Sequence, residues 1–211
     1  LPAAHAPHCR YCLATEPEPE RTGTLAILFY RIDTLVAYRH GYSGKTMSIY
    51  LFSRPIHSGK TTALLHWCRN RSGIAGIAMP DIDGSRKILD LTSRTVFPVQ
   101  CSEPGQSLEP LINIGKYHFY ASAFEKANSI LLEALEQEYD WLVIDEVGKL
   151  ELEQKGFYPA VQKAVEQHLN NDQQANLLLT VRESLTQEVI RYFGIHHCTV
   201  VTDPEALPTP A

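Results

Sequence analysis

Arg54-Pro55-Ile56-His57-Ser58-Gly59-Lys60-Thr61-Thr62 is the stretch on which the reading of this chain turns. It matches the phosphate-loop pattern G-x-x-x-x-G-K-[ST] at every fixed position but the first, where Arg54 replaces glycine. The spacing has a chemical reason. Consecutive backbone N–H groups curl into a nest around the β-phosphate of a nucleotide, and the helix that follows points its positive end at the same anion. On this reading Pro55, Ile56, His57, Ser58, Gly59, Lys60, Thr61 and Thr62 form the nucleotide-binding segment. Lys60 reaches the β- and γ-phosphates as a point charge, which also makes it a candidate catalytic residue. Thr61 offers a hydroxyl to Mg²⁺, a cation that prefers oxygen ligands and keeps several waters. The bland alternative is a chance Gly-Lys-Thr at a helix start.

Context separates the two readings. Residues 48–53 are a short apolar run of strand formers, and residues 60–70 have helical spacing, so the loop stands between a strand and a helix. A second Gly-Lys-Thr, at Gly44-Lys45-Thr46, also lacks the leading glycine, since Arg39 holds that place. A strand follows it rather than a helix, so it offers no helix N-terminus to a phosphate. It reads as linker. Arg54 is the departure that bears on geometry. If its position needs a positive φ, a residue with a Cβ costs about 1–2 kcal/mol there, and Arg54→Gly should tighten nucleotide binding.

Outward from this segment the pattern alternates. Residues 73–79 and 86–91 read as strands joined by a turn at 80–84, with further short strands at 96–99 and 117–121. Residues 122–137 carry Phe124, Ala127, Ile130, Leu131 and Leu135 near helical spacing. A buried-type strand at 141–147, a helix at 158–169, a strand at 175–181, a helix at 184–193 and a last strand at 198–201 follow. Strands alternating with helices imply an α/β fold, a mostly parallel sheet with helices on both faces, which with the phosphate loop means the P-loop NTPase fold. The expected organisation is an irregular, Pro- and Glu-rich extension over 1–46, a nucleotide-binding domain over 47–203 and a Pro-rich tail over 204–211. The extension reads as an appendage or as sequence foreign to the natural product, and a chain starting at Met47 is expected to fold.

The acidic end of the 141–147 strand supplies the second motif. Trp141-Leu-Val-Ile144 runs directly into Asp145-Glu146. An apolar strand ending in Asp is the Walker-B form, whose carboxylate holds Mg²⁺, often through a coordinated water. Catalytic groups in open α/β sheets gather at the carboxyl ends of strands. Thr61 and Asp145 are therefore the metal candidates. Glu146, one residue beyond, is the candidate catalytic base that orients and deprotonates an attacking water. The spacing between Lys60 and Asp145 leaves room for a further strand between theirs in the sheet. Two solvated acids at a strand end are the ordinary alternative.

Composition excludes other classes. With 44% hydrophobic and 20% charged residues in 211, the chain can bury a core, and its net charge of -5 gives no footprint for nucleic acid. No apolar run reaches the roughly 18 residues needed to span a bilayer. Five scattered cysteines read as reduced thiols, and a cytoplasmic location is expected. His5, His8, Cys9 and Cys12 offer four zinc ligands on paper, but so short a span strains a tetrahedron. Arg182, after the 175–181 strand, should stand near the crevice, either at the γ-phosphate or as an ordinary surface arginine. His57 reads as exposed beside the nucleotide. Lys149 and Glu151 read as shaping the loop after the acidic strand.

Ile144-Asp-Glu-Val-Gly-Lys-Leu-Glu-Leu152 closely resembles the acidic signature of the family of cancer-related nucleoside-triphosphatases. Residues 55–62, 73–91 and Ile114-Gly-Lys-Tyr117 before a helix look like that family too, so the resemblance covers roughly residues 47–203. It implies Mg²⁺-dependent hydrolysis of nucleoside triphosphates (ATP, GTP or others) to diphosphate and phosphate. It also implies that Gly59, Lys60, Thr61 and Thr62 serve phosphates and metal, and Asp145 and Glu146 metal and water. Two rivals stand beside it. One is a P-loop kinase passing the γ-phosphate to a small acceptor, against which no arginine-rich lid is evident. The other is a nucleotide-dependent switch with feeble hydrolysis. Which proteins the chain partners is not legible in the sequence.

Overall fold

Successive residues of each central strand face opposite ways, and here both sets are apolar, so the sheet must be covered on both sides. A computed structural model of the chain describes residues 48–170 and 175–208. The elements run β1 Ile49–Arg54, α1 Lys60–Arg69, β2 Ile74–Ala78, β3 Asp81–Ile82, β4 Ser85–Asp90, β5 Val96–Pro98, β6 Leu111–Ile114 and β7 Tyr117–Tyr120. They continue with α2 Ala121–Ala134, β8 Trp141–Val147, α3 Lys149–Leu152, α4 Tyr158–Leu169, β9 Asn176–Arg182, α5 Thr186–Tyr192 and β10 Cys198–Val201. The Gly44-Lys45-Thr46 copy, the His5/His8/Cys9/Cys12 cluster and the boundary at residue 46 lie outside the described residues.

The main sheet has the order β10-β1-β9-β8-β2-β4-β3, with β5 added along β4. From β10 to β2 every pairing is parallel, and β4 turns back antiparallel on β2. Strand β9 lies between the phosphate-loop strand β1 and the acidic strand β8, as the sequence spacing leaves room for. A separate hairpin joins β6 to β7 across Gly115-Lys116.

Alternation sorts the core into two layers. Phe52, Trp141, Val143 and Leu178 face α1, where they meet Leu64, Trp67 and Cys68. Leu51, Ile77, Leu142, Ile144, Leu177 and Leu179 face the other way, onto the buried sides of α2, α4 and α5. Leu207, read from sequence as part of a tail, is buried in the α1-side layer. Gly76 lets β2 lie against β8. Its φ is +111°, and a Cβ there would run into the Val143 carbonyl. The expected turn at 80–84 holds the two-residue β3, while β6 and the one-turn α3 are additions to the sequence reading. Among the described residues, no helix is long and apolar enough to cross a membrane.

Candidate functional site

Strand β1 ends, and helix α1 begins, around the loop Pro55–Gly59. Two residues turn the chain through the left-handed region, His57 at φ +59° and Gly59 at φ +76°. Ser58 Oγ donates to the Pro55 carbonyl at 2.7 Å and Lys60 Nζ reaches the same carbonyl at 3.4 Å, so the lysine lies back across the loop. Ala63 N–H donates to the Gly59 carbonyl at 3.0 Å, the first turn of α1. The N–H groups before it have no partner within the helix, and the positive end of the helix dipole lies at the loop.

Arg54 does not behave as expected. It is the last residue of β1, in register with Arg182 of β9, and its φ is not positive. No strain is stored there for glycine to relieve. Its guanidinium turns away from the loop. Nε donates to the Thr202 carbonyl, Nη2 lies 3.9 Å from Asp203 Oδ1, and the group covers the Phe52 ring at 5.0 Å. Glycine at this position would lose those contacts, so the tighter binding expected of Arg54→Gly is withdrawn.

The acidic strand brings its carboxylates to the same place. Asp145 is fully buried. Its Oδ2 accepts from Thr61 Oγ1 and from Met79 N–H, both at 3.0 Å. Its Oδ1 accepts from Glu146 N–H at 3.0 Å and from the Thr180 hydroxyl. Burial and the neighbouring Glu146 push the Asp145 pKa up, against hydrogen bonds from Met79, Thr180 and Thr61 that pull it down. A buried carboxylate with no cationic side chain bonded to it among the described residues is a setting that a divalent cation completes. Thr61 and Asp145 together fit Mg²⁺, which needs only one or two protein oxygens besides phosphate and water.

At Glu146 the strand breaks step. The β8–β9 register shifts between Ile144 and Val147, and Glu146 takes φ +61°. Its N–H is held by the Thr180 hydroxyl at 2.9 Å. The bulge re-aims the side chain, which lines the cleft while Asp145 stays inside. The cleft encloses about 950 Å³ and is lined by the loop residues 56–62, by Arg86, Arg182 and Glu146, and by Gly115-Lys116-Tyr117 of the β6–β7 hairpin. Arg86, which sequence reasoning missed, donates from Nη1 to Glu146 Oε1 at 3.1 Å.

The sequence model of a family described as NTPase matches residues 51–203, most of the chain. The chain belongs to this NTPase family. Its fold is that of the P-loop NTPases. The crystal structure of THEP1 from the hyperthermophile Aquifex aeolicus is similar, with a TM-score of 0.54 and 23% sequence identity, over 75% of this chain and 91% of that one. At that identity the likeness speaks for the fold. No curated protein is significantly similar in sequence.

Within this NTPase the loop after β8 is tied by a buried acid. Glu151 Oε2 accepts from Gly148 N–H at 2.8 Å and Oε1 from Phe157 N–H at 2.9 Å. Gly156, at φ +63°, packs so close that a Cβ would strike Glu151. Burial pushes the Glu151 pKa from an ordinary 4.5 up to about 7, against the two backbone N–H groups. The folded chain therefore binds this proton more tightly than the unfolded one. Stability falls as pH rises from about 4.5 to about 7, by an amount on the order of 3 kcal/mol, and is level above that. Denaturation of wild type and Glu151→Gln across pH 4.5–8 checks this. The wild type should lose stability relative to the variant as pH rises through that window, and a constant difference would count against it.

Proposed function

We propose that the chain hydrolyses Mg²⁺-bound nucleoside triphosphates, ATP, GTP or others, to nucleoside diphosphate and inorganic phosphate. One observation carries the reading. Glu146 stands in the cleft immediately beside the buried Asp145, on a strand separated by β9 from the phosphate-loop strand. That supplies a carboxylate for water next to a carboxylate for metal. The loop amides and Lys60 bind the β- and γ-phosphates, and Thr61 and Asp145 hold the cation. When bound, Mg²⁺ neutralises charge on the phosphates. Glu146 accepts the proton of a water whose oxygen bonds to the γ-phosphorus, while the bond to the β–γ bridging oxygen breaks and its electron pair leaves with the diphosphate. The nucleotide-binding domain, expected over 47–203 and here extended to the buried Leu207, and a cytoplasmic location belong to the same proposal.

Phosphate release measured with and without small hydroxyl and amine acceptors tests it. Release that is Mg²⁺-dependent and indifferent to acceptors is expected. Release that appears only as transfer to an acceptor would move the kinase reading ahead, and no release in either arm would favour the nucleotide switch.

A further inference from the structure

Arg86 joins the candidate base to the candidate metal carboxylate. From β4, its Nη1 donates to Glu146 Oε1 at 3.1 Å and to the Met79 carbonyl at 3.3 Å. Met79 and Glu146 each also donate a backbone N–H to Asp145, one to Oδ2 and one to Oδ1, both at 3.0 Å. The four residues close a ring. Its guanidinium stands one residue from Asp145 along either arm, and Asp145 is itself bonded to Thr61 of the phosphate loop.

The hairpin fixes Arg86 in this place. Antiparallel pairing sets Leu89 against Ala78, Lys87 N–H donates to the Pro80 carbonyl at 3.0 Å, and Gln100 Oε1 takes the Arg86 N–H at 3.2 Å. The side chain itself is only partly buried and lines the cleft with Lys60 and Thr61. The Arg86 backbone is anchored in the hairpin, and its guanidinium is held by the Met79 carbonyl and Glu146 at the wall of the cleft.

We propose that Arg86 is a catalytic residue with two partners, holding Glu146 in the nucleotide-free chain and moving to the γ-phosphate when a triphosphate binds. The proposal rests on the hydrolase reading of the same site. Competition between anions drives the exchange. A triphosphate carries more negative charge than one carboxylate and presents paired oxygens that suit a guanidinium fork. While Arg86 occupies Oε1, the bond holds that end of the carboxylate toward β4, and Oε2 is left to take a proton from water. Once the guanidinium moves, Arg86 spreads the charge that develops on the phosphoryl oxygens as water attacks and the diphosphate leaves. Arrival of the γ-phosphate thereby releases Oε1, and a diphosphate, lacking that group, leaves it clamped.

Titration with ADP and with the imido analogue of ATP, both with Mg²⁺, tests this in wild type, Arg86→Gln and Arg86→Lys. Arg86→Gln should leave ADP affinity within about twofold while weakening the analogue by about tenfold or more, and lysine should recover part of the loss. Phosphate release by Arg86→Gln should fall by roughly 10²-fold or more. ADP binding also reports the fold, and if Arg86→Gln fails to bind ADP, Arg86→Lys is read by the same comparison. Equal changes for the two nucleotides would overturn the proposal. So would a collapse of triphosphate preference in Arg182→Ala with none in the Arg86 variants. A wild type that releases no phosphate, yet loses its triphosphate preference on Arg86→Gln, would sink the hydrolase reading and leave the γ-phosphate contact standing.

Discussion

Glu146→Gln is expected to bind Mg²⁺-nucleotide about as well as the wild type and to release phosphate at least about 10²-fold more slowly. The substitution keeps side-chain shape, and the glutamine carbonyl can still accept from Arg86, so the wall of the cleft is retained. It removes the group that takes the proton. The backbone at this position has φ +61°, held by Asp145 and Thr180 through the Glu146 N–H, and neither contact involves the changed side chain. A fall in kcat at nearly constant nucleotide affinity is the split to look for in steady-state kinetics beside analogue titration. Near-normal turnover would remove Glu146 as base and with it the main physical support for hydrolysis.

Lys60→Ala should fail one step earlier. The lysine is buried at the head of α1 and lies across the loop toward Pro55. On the proposed function its ammonium meets the β- and γ-phosphates, and a charge-assisted hydrogen bond of this kind contributes about 1.5–3 kcal/mol. Affinity for a non-hydrolysable triphosphate should drop by roughly 10- to 100-fold, with a further loss in turnover. The two variants are thus both nearly inactive but differ in binding by calorimetry. Unchanged affinity in Lys60→Ala would mean that the loop amides alone hold the phosphates.

The parts of this site legible in sequence are those encoded locally. A strand, a loop with Gly59-Lys60-Thr61 and a helix follow one another without interruption, and Ile144-Asp145-Glu146 is an apolar run meeting two acids. Local spacing determines both. The insertion of β9 between β1 and β8 was legible only as room for a strand, since pairing order is set by packing across the sheet. The condition on Arg54, a positive φ, is not met because a strand can run one residue further than its apolar pattern. The pairing with Arg182 carries β1 through that position. The hairpin strand β6 and the single turn α3 are too short for periodicity to register. Arg86 was missed for a different reason. Its partner lies 60 residues away, and nothing in a strand's alternation distinguishes an arginine that reaches a base from one that faces water.

Hydrolysis in ¹⁸O-labelled water, with mass analysis of both products, bears most directly on the central claim that water, activated at Glu146, attacks the γ-phosphorus. A single labelled oxygen in the inorganic phosphate and none in the diphosphate is the expected result. Label in the diphosphate, or a γ-phosphoryl group recovered on an acceptor with no labelled phosphate formed, would contradict it.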